Sequence, residues 1–172
     1  MNMEPVRFGV IGCGLMGREF ASVSMRWLHL ACELPRPVIV AACDLSPKNL
    51  DWFRQVPDTK YFYSDYHELL ANPEVEAVYC AVPHHLHAQV YGDVIRAGKH
   101  LIGEKPFGMD LAACEEVEAA MAGRPEVFVR CASEFPFYPA VQQMVKWYRE
   151  GAFGQIIEAR FAIKHSSDMD LA

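Results

Sequence analysis

The sequence predicts an α/β fold: a doubly wound parallel sheet with helices on both faces, followed by the start of a second, α+β unit. Three observations carry this reading. Strand-like and helix-like segments alternate along most of the chain. The strand-like segments are continuous apolar runs, such as VIVAAC at 38–43, as expected of strands buried on both faces. A glycine-rich turn joins the first strand to the first helix.

Each element has a local reason. VRFGVI (6–11) is short, β-branched and apolar, hence a strand. Met16, Phe20, Val23, Trp27 and Leu30 recur at spacings of four and three, which predicts a helix with that face inward. The two prolines of ELPRP end it. After the strand at 38–43, Ser46 and Pro47 read as an N-cap and the first helical residue, with the helix ending near VPDTK. YFY (61–63) is a short third strand, and Asp65 caps a short helix to Leu70. AVYCAV (77–82) is the fourth strand; its helix buries Ala88, Tyr91, Val94 and Ile95 and stops at Gly98. HLIG (100–103) is the fifth strand. Asp110 then caps a helix with Leu111, Cys114, Val117 and Met121 inward, and EVFVRC (126–131) is the sixth strand. Pro139 opens a helix running through Met144 and Tyr148 to Gly151.

The rhythm then changes. Ile157, Ala159, Phe161 and Ile163 alternate with Glu158, Arg160 and Lys164, which predicts an antiparallel strand with one wet face. The expected organisation is a nucleotide-binding domain over 1–135, then a linking helix and first strand of an incomplete substrate domain over 136–172. On this reading the chain is a fragment of a longer protein.

Composition narrows the function. The 172 residues are 52% hydrophobic and 22% charged, with a formal net charge of -6. An acidic chain without a Lys/Arg cluster points away from nucleic acid and from anionic membranes. No apolar run is long enough to span a bilayer, and MNMEPVRFGVIGCG lacks the features of a signal peptide. None of the six cysteines forms a C-x-x-C pair, and most sit in apolar segments, so reduced, buried thiols in a cytoplasmic protein are expected.

GVIGCGLMG places Gly12, Gly14 and Gly17 in the spacing G-x-G-x-x-G between strand and helix. In that context Gly12 permits the tight turn, Gly14 lets the backbone approach a pyrophosphate, and Gly17 lets helix and sheet pack. The helix start, with Cys13, Leu15 and Met16, offers N–H groups and a positive partial charge to phosphates. Asp44, ending the second strand, is placed to accept hydrogen bonds from adenosine ribose hydroxyls. A carboxylate there repels a 2′-phosphate, and Leu45 and Ser46 supply no arginine to receive one, although Lys48 is near. NAD is therefore favoured over NADP. Ala81, Val82 and Pro83, after the fourth strand, are expected to pass under the cofactor.

His84, His85 and His87 invite a metal, a solvated or capping, and a cofactor or substrate reading. Only His84 and His87 have a spacing that converges on a helix, and no acidic or cysteine partner stands nearby, so no metal is assigned. Glu104, Lys105 and Pro106 leave the fifth strand at its carboxyl end, where nicotinamide should lie. A lysine there can hydrogen-bond a ribose hydroxyl, polarise a substrate oxygen, or exchange a proton as hydride moves. The alternative is a surface turn with an incidental ion pair.

Taken in order, these motifs resemble the glucose-fructose oxidoreductase / inositol dehydrogenase (Gfo/Idh/MocA) family. GVIGCGLMG resembles its dinucleotide turn, AVPHHLHAQV its T-P-N-x-x-H segment, AGKHLIGEKPFG its G-K-H-V-x-x-E-K-P block, and FYPAVQQMVKWYREGAFGQI its link into the second domain. His84 and Val82 depart from the usual asparagine and threonine. The resemblance implies a Rossmann domain followed by an α+β substrate domain. It implies that Lys105 is the active-site lysine, near nicotinamide and substrate, that Glu104 and Pro106 belong to the cofactor-side turn, and that His87 is the histidine of the family's T-P-N-x-x-H motif, with His84 at its asparagine position. It further implies an NAD-dependent oxidoreductase acting on a sugar or polyol. A further catalytic residue would come from the second domain, and His165 and Asp168 carry no motif for that role. A homo-oligomer is expected for the full-length protein. The other readings are a non-catalytic NAD-binding sensor or assembly subunit, and an NAD-assisted glycosidase.

Overall fold

The computed structural model describes residues 3–29, 33–160 and 162. The chain divides into two compact units, Met1–Ser133 and Glu134–Ala172.

The first unit is built on a six-stranded sheet of β1 (Val6–Ile11), β2 (Pro37–Cys43), β3 (Tyr61–Tyr63), β4 (Ala77–Cys80), β5 (His100–Gly103) and β6 (Val129–Cys131). The spatial order is β3-β2-β1-β4-β5-β6, and every neighbouring pair is parallel. This is the doubly wound order in which the chain reverses direction between β1 and β4. Helices α1 (Leu15–Ser24), α2 (Pro47–Phe53), α3 (Tyr66–Ala71), α4 (His87–Arg96) and α5 (Leu111–Ala122) connect the strands. A short 3-10 turn, His84–Leu86, precedes α4. Asp65 and Asp110 cap α3 and α5, accepting hydrogen bonds from the His67 and Ala113 N–H groups.

Two apolar layers enclose the sheet. One joins Leu69, Val90, Tyr91, Val94, Ile95 and Val117 to strand residues such as Val78 and Leu101. The other joins Ala21, Phe53 and Val56 to Phe8, Val10 and Tyr79. Fully burying a side chain of this size contributes about 1.5–3 kcal/mol, so the layers are the main source of stability.

Two helix faces differ from the periodicity reading. In α1 the buried residues are Gly17, Ala21 and Ser24, while Met16 and Val23 are 40% and 55% exposed. Small residues bring this helix close to the sheet, and Trp27 lies beyond it in a separate 3-10 turn. Leu30 lies outside the described residues. In α5, Val117 and Ala120 are buried, and Leu111, the first residue of the helix, is 74% exposed.

The second unit contains α6 (Pro139–Arg149) after a 3-10 turn at Phe135–Phe137. No strand forms over residues 156–160, since no described residue supplies a hydrogen-bonding partner strand; Phe161, Ile163, Lys164, His165 and Asp168 lie outside the described residues.

Cys13, Cys43, Cys80, Cys114 and Cys131 are free. Burial pushes the thiols of Cys43 and Cys80 up to about 12, with Asp44 adding to the effect at Cys43, and it raises Cys13 as well. All three therefore remain protonated and unreactive at pH 8. Iodoacetamide at that pH should leave them unmodified in the folded chain and alkylate them in urea, as read by mass spectrometry.

Candidate functional site

The strands end on a common row. Ile11 lies beside Cys43 and Cys80, and Cys80 lies beside Gly103. The ladder continues one residue further: the N–H of Gly12 donates to Cys43 (2.9 Å), that of Ala81 to Ile11 (2.8 Å), and that of Glu104 to Cys80 (3.0 Å). The residues leaving this row are Gly12, Asp44, Ala81 and Glu104. Glycine turn, acid, P-H-H-L-H loop and E-K-P turn thus emerge at one edge. With neighbouring strands ~4.8 Å apart, the ends of β1 and β5 lie about 10 Å from each other.

The glycines meet the geometric demands of the turn. Gly12 has φ +91°, and a Cβ there would lie 2.4 Å from the Ala81 carbonyl oxygen. A Cβ on Gly17 would lie 2.2 Å from the Gly12 oxygen. Around Gly14 the reverse holds: a Cβ would meet nothing within 4 Å. Gly14 is the N-cap of α1 and offers no side-chain cap, so the first-turn N–H groups are left without an intrahelical or capping partner, beside exposed Leu15 and Met16. Open space over unpartnered N–H groups at a helix start fits a dinucleotide pyrophosphate.

Asp44 stands at the edge of that space, half-buried. Its Oδ2 accepts from the Cys13 N–H (2.7 Å) and Asn49 Nδ2 (3.1 Å), and its Oδ1 from the Ser46 N–H (2.7 Å). Three donors fix the carboxylate. Cys13, expected as a cofactor contact, is fully buried: its N–H serves Asp44 and its thiol faces the Cys43 carbonyl. As placed, it supports the site from beneath.

In the E-K-P turn, Lys105 and Pro106 are exposed and their peptide bond is cis. Glu104 is only 7% exposed. Its Oε1 accepts from Tyr79 Oη (2.6 Å) and its Oε2 from the Lys105 N–H (3.1 Å). The carboxylate thus engages the Lys105 backbone, and the side-chain charge pair suggested by the sequence is replaced by an inward tyrosine contact.

In the P-H-H-L-H loop, Pro83, His84 and His85 are exposed and Ala81 and Val82 are half-buried. His87 departs from expectation. It is 0% exposed, with Nδ1 2.7 Å from the Pro106 carbonyl oxygen and Nε2 3.0 Å from that of Val82. Both ring nitrogens are occupied by backbone, because α4 carries His87 inward under both loops. It bridges them and leaves no surface for a cofactor. The His84 and His87 rings are 5.3 Å apart, and no group of three or more metal-binding side chains occurs among the described residues.

Residues 6–131 match the family model described as an oxidoreductase family with an NAD-binding Rossmann fold. The chain belongs to the Gfo/Idh/MocA oxidoreductase family. Human trans-1,2-dihydrobenzene-1,2-diol dehydrogenase is 31% identical over 159 residues, covering 90% of this chain and 45% of the relative. A levoglucosan dehydrogenase solved with NADH and L-sorbose superposes with a TM-score of 0.80 at 26% identity, over 90% of this chain and 41% of that one. The scyllo-inositol dehydrogenase of Lactobacillus casei, solved with NAD(H) and scyllo-inositol, gives a TM-score of 0.75 at 22% identity, over 89% and 43%. The chain spans less than half the length of these relatives.

Within this Gfo/Idh/MocA domain the structure adds residues that sequence reading missed. Arg18 follows Gly17 directly; it donates to Asn49 Oδ1 (3.2 Å) and lies over the Trp52 ring. Asn49 thereby links Arg18 to Asp44. Tyr79 and Tyr91 lie beneath the E-K-P turn, where the Tyr91 hydroxyl donates to the Glu104 carbonyl (2.8 Å). For Tyr79 the signal in the sequence was a polar-tipped ring within an otherwise apolar run, and for Tyr91 such a ring on the apolar face of its helix.

Proposed function

We propose that this chain is the cofactor-binding part of an NAD-dependent dehydrogenase that moves a hydride between a CH–OH carbon of a sugar or polyol and nicotinamide. The observation that carries the reading is Lys105. It stands exposed on the sheet edge that also bears the glycine turn and Asp44, on the last-paired side of β5. When bound, the nicotinamide supplies the hydride acceptor or donor. The N-terminus of α1 and the space over Gly14 receive the pyrophosphate. Asp44 accepts from a ribose hydroxyl with the lone pair its three donors leave free. Lys105 Nζ holds the substrate oxygen and exchanges a proton with it. Sugar and polyol substrates accord with the ligands named for the levoglucosan and inositol dehydrogenases.

Residues 134–172 are assigned to the beginning of a substrate domain. The segment alone should bind cofactor with negligible turnover, and oligomerisation is assigned to the complete protein. The five free cysteines among the described residues accord with a cytoplasmic setting, and no described helix is long and apolar enough to cross a membrane. A sensor that only binds NAD would have no use for an exposed lysine at this point, which favours the enzyme.

Cofactor choice is tested by calorimetric titration. NAD should bind about tenfold or more tightly than NADP, because the Asp44 carboxylate faces the 2′ position. Asp44→Ala should narrow that gap by weakening NAD. Tighter binding of NADP to the unaltered chain would reverse the assignment and shift attention to Arg18.

A further inference from the structure

We infer that Glu104 and Tyr91 are positioning residues that lock the peptide bond between Glu104 and Lys105 from both ends, with Tyr79 holding the Glu104 carboxylate in place. The inference rests on the reading that Lys105 acts on substrate. One amide plane joins the Glu104 carbonyl to the Lys105 N–H. The carbonyl accepts from Tyr91 Oη at 2.8 Å, and the N–H donates to Glu104 Oε2 at 3.1 Å. With both ends bonded to buried side chains, the plane cannot rotate without breaking a desolvated hydrogen bond.

The supports are themselves fixed. Tyr79, from β4, is buried, and its ring stacks on Phe20 at 4.2 Å. Burial, followed by the Glu104 carboxylate, raises the Tyr79 hydroxyl well above the usual phenol range, so it stays a proton donor. Tyr91, from α4, is fully buried and stacks on His87 at 4.7 Å. A Cβ on Gly103 would lie 2.6 Å from the Tyr91 ring, so the glycine just before Glu104 makes room for it. His87 adds a third tie at the Pro106 carbonyl. Side chains from β4 and α4 thus hold the backbone before and after Lys105, while the lysine itself stays exposed. A buried carboxylate whose donors are a tyrosine and the next residue's N–H is built to set backbone direction; it forms no ion pair among the described residues.

Tyr91→Phe, Glu104→Ala and Glu104→Gln test this, with melting curves to establish folding. The amide of Lys105 should be protected from hydrogen exchange in the unaltered segment. Protection should fall about tenfold or more in Glu104→Ala and survive in Glu104→Gln, whose amide oxygen still accepts from the N–H. In an active protein carrying this segment, Tyr91→Phe and Glu104→Ala should lower kcat about 10- to 100-fold with little change in the KM for NAD, and Glu104→Gln should recover most of kcat. If Glu104→Ala fails to fold, the isosteric Tyr91→Phe still decides. An unprotected Lys105 amide in the unaltered segment would overturn the locking. Unaltered kcat in folded Tyr91→Phe, where Lys105→Ala abolishes turnover, would overturn the positioning role. A harmless Lys105→Ala would instead sink the catalytic reading beneath it, leaving the exchange result to judge the lock by itself.

Discussion

Replacing Lys105 by alanine, in an active protein carrying this segment, is expected to lower kcat about 10²- to 10⁴-fold, the usual contribution of a positioned proton-transfer group. NAD affinity should hardly change. The lysine leaves the sheet about two strand spacings from the glycine turn, or about 10 Å, so its loss leaves the pyrophosphate site untouched. Steady-state kinetics beside a calorimetric titration separate the two effects. A fall in affinity matching the fall in kcat would make Lys105 a cofactor clamp. Unchanged turnover would remove it from the chemistry.

The second large effect contrasts two glycines of one motif. Gly17→Ala forces a Cβ to 2.2 Å from the Gly12 oxygen. Backbone cannot yield there as a flexible side chain would, so the turn must shift, at a cost of about 1–3 kcal/mol or more. Both the urea midpoint and NAD binding should fall. Gly14→Ala meets nothing within 4 Å, at a φ of -71° that alanine adopts freely. Its urea midpoint should stay close to that of the unaltered chain, while the added methyl enters the space assigned to the pyrophosphate. NAD should then bind about tenfold or more weakly. Undiminished binding by Gly14→Ala would mean that the phosphates lie elsewhere.

The parallel strands were legible because burial on both faces leaves continuous apolar runs, as in VIVAAC and AVYCAV. The edge shared by Gly12, Asp44 and Lys105 was legible because strand order alone places carboxyl ends together. The inward face of α1 was legible only in part. Phe20 packs against Phe8 and Tyr79 as its periodicity predicts, but Met16 and Val23 face outward, and the close contact is made by Gly17, Ala21 and Ser24, whose smallness carries no hydrophobic signal.

Within the site, residue type and side-chain direction diverged. Glu104 beside Lys105 reads as a charge pair, yet the carboxylate turns toward Tyr79, a residue 25 positions earlier that parallel pairing brings alongside. His87 reads as a cofactor contact, yet the turn into α4 carries it inward onto two carbonyl oxygens. The Cys13 N–H reads as a phosphate donor and is taken by Asp44. Each depends on tertiary contacts between segments distant in sequence, which local pattern does not encode.

The central claim is that NAD lies along one sheet edge, from the glycine turn to Lys105. Titrating the ¹⁵N-labelled chain with NADH and following backbone amide shifts tests it most directly. The expected result is saturable perturbation at Gly14, Leu15, Met16, Leu45 and Lys105, with the α4–α5 face unmoved. Perturbation confined to other surfaces, or none at saturating NADH, would contradict the placement of the cofactor and with it the role given to Lys105.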